Sequence, residues 1–466
     1  TFCRGKPLKG FLKITFSVRT NYMKEEIIEQ DEESSAFEES DEQPVRTTFG
    51  ELVRSAKLPP VVWMVFLTTF LACVYSGESF FYFSLGGFAW LLSLVFSGIV
   101  LTLRIIKTSF PLFLWLPWIL TVAGLGYISD FPNMQRSFML LCPVFVGMAV
   151  STSRITNEHL QSFILMMKIF SVVLLGVVLF LTGMLLTGIL PSATGLAPQA
   201  ITSLLLSTFF VALYSFGGSK NLGWYIVSGV VPIIALTRAA IAITGLSLPL
   251  SFSPLKLQTR VIMLVVVCVV GLIIFFTPRV QKKMFFTGEG DIEDIGGRTF
   301  ATSGRQHMAE ILVTEIAKKP YWGHGANASE QFISNYSRGQ LTHPHNDWLR
   351  FLYDYGAIPT ALFALTLFAQ TRHTYKKARE AEGVTKILFY AGASSFLPFM
   401  LIMFTDNVVL YAAYFGNLQF TILGLAYAAD KTARREAVYE EDELPRRTTR
   451  SRAYRETSED VFEEQT

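Results

Sequence analysis

The sequence has little charge. Only 17% of its 466 residues are charged, whereas 51% are apolar and the mean hydropathy is +0.39. A soluble globular protein needs more polar surface than this, so that class is excluded. The chain also contains 40 Phe and 7 Trp, which suit helices that face lipid and end at its interface. A membrane protein is therefore the first expectation.

Cysteine is also scarce. Cys73, Cys142 and Cys268 lie inside apolar runs and Cys3 lies near the start, so neither a disulfide framework nor a zinc knuckle is indicated. Lys and Arg are distributed among short loops and form no basic stripe, which excludes nucleic acid as a partner. The chain begins at Thr1 without a cleavable signal sequence, so we expect the first membrane helix to direct insertion.

Apolar runs dominate the middle of the chain. A hydrocarbon core of about 30 Å needs about 20 helical residues, so the runs predict an all-α polytopic membrane protein with about 12 transmembrane helices. The pair of runs beside Arg238 is short and is also compatible with one broken helix. The runs cover residues 60–77, 80–103, 109–128, 137–152, 162–189, 199–217, 222–237, 239–253, 260–278, 347–370, 386–404 and 408–428.

The positive charges of the short loops predict the orientation. Alternate loops are rich in Lys and Arg, whereas the opposite loops carry only Arg136 and Arg238, so both termini are expected in the cytoplasm. The predicted segments are a disordered cytoplasmic tail (1–57), a transmembrane bundle of about nine helices (58–278), a large extracytoplasmic loop (279–346), about three further transmembrane helices (347–429) and a charged cytoplasmic tail (430–466).

The large loop contains a predicted helix. Ser303 and Gln306 have the spacing of a capping box, and Pro320 would stop the helix that follows. Its apolar spacing predicts a short amphipathic helix on the membrane surface or over the mouth of the bundle. Gly323-His324-Gly325 then predicts a tight, mobile turn.

The loop ends in a concentration of polar residues. His343-Pro344-His345-Asn346 is followed by Arg350 and Asp354, which share one face of a helix. An imidazole titrates near neutral pH, and charged groups inside a membrane helix usually face a polar cavity or each other. The simpler alternative is that Asn346 or Asp347 caps the helix while Arg350 only pairs with Asp354.

An ordered set of motifs carries a resemblance to a known family. The motifs are Thr237-Arg238-Ala239-Ala240, Ser303-Gly304-Arg305, Pro320 with Gly323-His324-Gly325, His345-Asn346, Asp354-Tyr355-Gly356 and Thr405-Asp406-Asn407. Together they resemble the O-antigen ligase and polymerase family over roughly residues 60–430. Two departures are Asp354, where Glu is common, and His307-Met308, where Trp is frequent.

The resemblance implies a GT-C-like membrane glycosyltransferase of the bacterial cytoplasmic (inner) membrane. Such an enzyme transfers a glycan from an undecaprenyl diphosphate carrier to an acceptor hydroxyl on the periplasmic face. The implied partners are this donor, a lipid-linked or lipid A core acceptor, the bilayer and, for a polymerase, a chain-length regulator protein.

The chemistry of the residues fits that implication. The guanidinium groups of Arg238 and Arg305 suit the diphosphate, with Arg298 and Arg338 behind them. Their simpler alternatives are a snorkelling interfacial Arg238 and a plain surface charge at Arg305.

The remaining candidates concern proton transfer and support. His345 is the predicted general base, and Asp354 and Asp406 could orient it or compensate cations. Asn346 and Arg350 are supporting candidates. Tyr321, Trp322, Tyr336, Trp348, Tyr353 and Tyr355 offer faces for sugar rings, although most such residues belong to an interface belt.

A metal site is not indicated by the spacing. His324, His343, His345 and Asp406 lack diagnostic ligand spacing, and the chain has no Asp-x-Asp motif for a diphosphate-bound ion. We expect no cofactor and a metal-independent reaction, with two arginines in place of the cation.

Three functions remain open. A polymerase of surface polysaccharide is slightly favoured, because polymerases serve more polysaccharides than ligases do. An O-antigen ligase that attaches the glycan to lipid A core is the alternative with the same donor chemistry. A flippase for lipid-linked oligosaccharides belongs to another class and would normally show internal repeats and midplane charges, neither of which is evident.

Overall fold

The fold is a bundle of helices with a helical cap formed by the large loop. The computed structural model describes residues 56–74, 79–80, 83–124, 131–189, 195–294, 305–339, 341 and 343–438. The helices are α1 (Pro60–Val74), α2 (Leu85–Arg104), α3 (Leu116–Gly124), α4 (Phe131–Ser151), α5 (Asn157–Leu186), α6 (Ala197–Gly217), α7 (Leu222–Ile234), α8 (Arg238–Ser247), α9 (Leu257–Phe275), α10 (Pro278–Met284), α11 (Arg305–Ile316), α12 (Ala328–Tyr336), α13 (Asp347–Asp354), α14 (Ala357–Glu380), α15 (Gly383–Ile402) and α16 (417–438). A short antiparallel pair, β1 (Ser79–Phe80) and β2 (Phe83–Ser84), precedes α2.

The apolar helices confirm an integral all-α membrane protein. Within the described ranges, six helices are long and apolar enough to cross a membrane, namely α2, α4, α5, α6, α9 and α15. Helix α9 has none of its residues buried against the protein although it is strongly apolar. Such a surface is stable only in contact with lipid. The complete set of about 12 crossings stays a prediction.

The centre of the bundle consists of α6, α15 and α16. Most of α6 is buried, and so are most residues of α15 and the first half of α16. These helices are buried on most sides, and their largely apolar sequences suit this central position. Buried amides join their neighbours: the Trp115 indole donates to Gln370 at 2.9 Å, and Gln370 donates to the Tyr427 hydroxyl at 3.0 Å.

Left-handed residues separate helices at two places near the site. The predicted pair of runs beside Arg238 contains α7 and α8, and Leu236 between them has a φ of +51°. The run from 347 to 370 breaks between α13 and α14 at Gly356, which has a φ of +82°. Both breaks lie next to candidate site residues. A left-handed residue ends a helix because it cannot continue the right-handed hydrogen-bond pattern.

Most of the two predicted tails, residues 1–55 and 439–466, lies outside the described residues. Residues 430–438, which begin the predicted C-terminal tail, continue α16. Arg434 pairs there with Asp430 one turn earlier, with Nε and Oδ1 3.2 Å apart, and such a pair supports a helix.

Candidate active site

His345 and Asp406 form the centre of the candidate site. The His345 Nδ1 atom lies 3.4 Å from the Asp406 Oδ1 atom. His345 has a φ of +49°, an uncommon conformation for a residue other than glycine. Asp406 is nearly buried and also accepts the Asn407 amide at 2.9 Å. The structure therefore joins the predicted base to one of its two predicted carboxylate partners.

Backbone and side-chain ties hold the two segments together. The Asp347 amide donates to the Met403 carbonyl oxygen at 2.8 Å, and the Asp347 Oδ2 atom accepts the Val409 amide at 2.8 Å. The Trp348 indole donates to the Met400 carbonyl oxygen at 3.1 Å. The start of α13 is thus fixed against residues 400–409. This attachment sets the position of His345 beside Asp406.

Arg305 reaches the same place from the large loop. It is the first residue of α11, and its guanidinium donates to the Thr405 carbonyl oxygen at 2.9 Å, one residue before Asp406. Among the described residues its Nε atom is buried without a hydrogen-bond partner. Ser303, the predicted helix cap, lies outside the described residues, as does Arg298, whereas Arg338 is exposed.

Arg238 lies at the helix break. It is the first residue of α8 and directly follows Thr237, which has an extended backbone. The start of a helix presents free amides and a positive dipole, so Arg238 adds its charge to a place that already favours anions. Arg238 is within electrostatic range of Arg305. The two arginines predicted to bind the diphosphate therefore lie on the same side of the bundle.

Lys283 joins these arginines and was not predicted. It lies near the end of α10, and its Nζ atom donates to the Leu236 carbonyl oxygen at 2.7 Å. Partial desolvation and the like charges of Arg238 and Arg305 lower the pKa of the Lys283 ammonium below its usual value. The sequence around Lys283 contains no motif that predicts this role. Only the fold brings Lys283 close to Leu236.

A second group of charges lies beneath the cap, and we call it the Glu330 cluster. Arg350 is buried and pairs with Glu330 at 3.4 Å and with Asp354 at 3.5 Å, while Asp354 also accepts the Ser329 amide at 2.7 Å. Among the described residues Asp354 has no contact with His345; it compensates Arg350 instead. The other members are Arg136, which pairs with Glu330, His343, 3.3 Å from Glu330, and Asp347, 3.9 Å from Arg350.

The Glu330 carboxylate is strongly stabilised in its charged form. Its burial opposes ionisation, but the His343 imidazole and the charges of Arg350 and Arg136 outweigh this and hold its pKa at about 2. Glu330 belongs to α12 and Arg136 to α4, so the pair joins the cap to the bundle. Asn346 caps α13 by accepting the Leu349 amide at 3.0 Å. The simpler alternative therefore holds for the cap at Asn346, whereas Arg350 pairs with Glu330 as well as with Asp354.

The glycine motifs of the loop interlock. The amides of His324 and Gly325 donate to the carbonyl oxygens of Tyr353 and Asp354 at 2.9 and 2.8 Å. Gly323 has a φ of +65°, and a Cβ atom there would lie 2.5 Å from the Asp354 carbonyl oxygen. A Cβ atom on Gly356 would lie 2.4 Å from the Trp322 nitrogen. The turn that we expected to be mobile is held by these backbone contacts.

The aromatic candidates divide by exposure. Tyr321, Trp322 and Tyr336 are exposed, whereas Tyr353 and Tyr355 are buried and Trp348 is partly buried. Tyr353 stacks on the His324 ring, with centroids 4.3 Å apart. The exposed group remains available to sugar rings. The described residues contain no cluster of three or more His, Cys, Asp or Glu side chains that could hold a metal ion.

Apolar spanning helices with a cluster of polar and charged side chains where a large loop meets the bundle are typical of an integral membrane protein with a functional site. Residues 223–364 match the family model described as O-antigen ligase, which supports the predicted resemblance to the O-antigen ligase and polymerase family. This is a family of glycosyltransferase-type enzymes that act on lipid-linked glycans. The matched region contains Arg238, Arg305 and His345 but ends before Asp406. No curated protein matches the chain.

Proposed function

We propose that the protein transfers a glycan from an undecaprenyl diphosphate carrier to an acceptor hydroxyl at the extracytoplasmic face. The observation that carries the proposal is that a candidate general base lies close to candidate phosphate-binding arginines. His345 contacts Asp406, and Arg305 binds the carbonyl oxygen of the residue before Asp406. Arg305 is in turn within electrostatic range of Arg238.

The proposed reaction uses each group once. When the His345 Nδ1–H donates to Asp406, Nε2 can accept the proton of the acceptor hydroxyl. The hydroxyl oxygen then forms a bond to the anomeric carbon of the donor glycan. The bond between that carbon and the diphosphate oxygen breaks, and undecaprenyl diphosphate leaves with the electron pair. Arg238 and Arg305 stabilise the charge that develops on the leaving diphosphate.

The supporting residues have positioning roles in this proposal. Asn346 accepts the Leu349 amide in the first turn of α13, the helix that follows His345. Arg350 and Asp354 attach α13 to the helical cap of the large loop through Glu330 and Ser329. Metal independence is part of the proposal, because the guanidinium groups supply the positive charge. The active site belongs to the outer side of the inner membrane, with both termini in the cytoplasm.

The acceptor distinguishes two versions of the function. A polymerase adds the glycan to another lipid-linked repeat and would act with a chain-length regulator protein in the cell. This version is slightly favoured because such enzymes serve many polysaccharides. A ligase transfers it to lipid A core and is the alternative version. Both versions use the same donor site.

The deciding experiment uses purified protein in proteoliposomes with a lipid-linked repeat unit. Separate samples receive lipid A core, a chelator or neither addition. Longer lipid-linked chains without lipid A core support a polymerase, and product that requires lipid A core supports a ligase. Movement of the donor across the bilayer without any glycan product would reject transfer in favour of a flippase. Loss of product with the chelator would contradict metal independence.

A further inference from the structure

Lys283 brings a third cation to the region where Arg238 and Arg305 meet. Its Nζ atom donates to the carbonyl oxygen of Leu236, two residues before Arg238. The two arginines are in turn the charges that act on Lys283. Three segments of the chain, at the α7–α8 break, α10 and α11, therefore contribute one cation each.

The position of Lys283 is fixed by its own helix. Gln281, two residues earlier, is buried and donates to the Phe275 carbonyl oxygen at 2.9 Å. It also accepts the Gly290 amide at 2.8 Å, so α10 is tied at both ends. Phe285, just after the helix, is buried as well. Lys283 is thus held near the arginines by a built structure rather than by a loose loop.

The positive charges of Arg238 and Arg305 act unfavourably on the charge of Lys283, and a bound anion would offset this repulsion. Like charges near one another in a partly desolvated place destabilise the charged forms. The named charges that act on Lys283 are both positive. Groups under such strain are typical of sites where a ligand of opposite charge binds. A diphosphate carries more negative charge than a monophosphate and so gains more from an additional cation.

We propose that Lys283 binds the diphosphate of the donor together with Arg238 and Arg305 and provides the preference for a diphosphate over a monophosphate carrier. This inference rests on the proposed function. The competing explanation is structural, with Lys283 only satisfying the Leu236 carbonyl oxygen. The two explanations differ in what they predict for the two carrier lipids.

The test compares Lys283→Gln with Lys282→Gln, which removes the same charge from the neighbouring exposed residue of the same helix. Binding of undecaprenyl diphosphate and of undecaprenyl monophosphate is measured by native mass spectrometry of the full-length protein. We expect Lys283→Gln to weaken diphosphate binding about tenfold and to leave monophosphate binding nearly unchanged. Lys282→Gln should keep the preference of the wild type, and Lys283→Arg should restore it.

Kinetics provide a second readout. In glycan transfer, Lys283→Gln should raise the KM for the donor while kcat changes little. Equal losses for both lipids, or no loss for either, would overturn the inference. If Lys283→Gln does not fold, the same comparison of the two lipids is made with Lys283→Arg and Lys283→Met. Loss of folding in all three variants would support the structural explanation and reject the diphosphate-binding role. If the wild-type protein binds neither lipid, the proposed function itself fails, which is a distinguishable result.

Discussion

His345 has a strained backbone at the point where chemistry is proposed. A φ of +49° is unfavourable for a residue with a side chain, and the neighbouring segments must maintain it. The ties from Asp347 and Trp348 to residues 400–409 do so. Because these ties maintain the backbone conformation of His345, the imidazole stays directed toward Asp406.

Replacement of Asp406 tests the partnership between the carboxylate and the imidazole. Asp406→Asn keeps the size of the side chain but removes the charge that stabilises a protonated His345. We expect kcat to fall about 10- to 100-fold while the KM for the donor changes little. Steady-state glycan transfer measures both constants, with Asp430→Asn, which lies within α16 and outside the candidate site, as the control. An unchanged kcat in Asp406→Asn would contradict the role assigned to the pair.

Some of the charged contacts near the site could be predicted from the sequence, and others could not. Arg350 and Asp354 are four residues apart, so their pairing follows from helix geometry alone. Glu330 and Arg136 were missed because their meeting depends on how the cap packs on the bundle. The Lys168 Nζ atom lies 5.9 Å from the centre of the Trp224 ring, a cation–π contact between residues too far apart in the sequence to predict.

At the scale of elements, the turn at Gly323 determines how the loop attaches to α13 and α14. Gly323 and Gly356 permit backbone contacts that any side chain would prevent. The Ala357 amide also donates to the Pro320 carbonyl oxygen at 2.8 Å. The motif residues Pro320, Gly323 and Gly356 are therefore parts of one joint. Their role is to position the end of the loop, since no backbone hydrogen bond among the described residues joins them to His345.

Gly323→Ala should disrupt this joint. The new Cβ atom meets the backbone of Asp354, so we expect a loss of stability above about 2 kcal/mol. Gly339→Ala is the matched control, because Gly339 also has a positive φ but no atom near its Cβ position, and strain alone costs about 1 kcal/mol. Thermal unfolding in detergent compares the two variants. Equal shifts in Tm would show that the contact at Gly323 is unimportant.

Elements were predictable where periodicity decides them and unpredictable where packing does. Each of the apolar runs contains a helix in the described structure, because apolar length is a local property. The breaks at Leu236 and Gly356 depend on left-handed residues that the surrounding structure enforces. The sequence predicted a boundary beside Arg238 but not the left-handed conformation of Leu236, whereas the break at Gly356 falls inside a run that was predicted to be continuous.

At the scale of the whole molecule, the Glu330 cluster joins the cap to the bundle. Arg136 from α4 and Arg350 from α13 both pair with Glu330 from α12. Removal of one charge from such a buried group leaves its partners uncompensated, which typically costs about 3 kcal/mol. The same contacts thus hold two elements in place, namely the cap, which carries Arg305, and α13, which follows His345.

Glu330→Gln should loosen the cap and change its response to acid. The folded pKa of about 2 lies below the ordinary value of 4.5, so the stabilisation is complete above about pH 4.5 and is lost as the pH falls toward 2. We expect the variant to have a lower Tm at neutral pH and a smaller further loss on acidification than the wild type. The exposed Glu310→Gln is the control. Equal Tm values for Glu330→Gln and wild type at neutral pH would contradict this role of the cluster.

The most direct test of the central claim is glycan transfer by His345→Gln in proteoliposomes that contain the lipid-linked repeat unit. Donor binding should remain close to that of the wild type, because the cations are unchanged. The account predicts a loss of at least about 100-fold in kcat, since the proton of the acceptor hydroxyl then has no base. Product formation by His345→Gln at the wild-type rate would contradict the assignment of His345 and of the site around it.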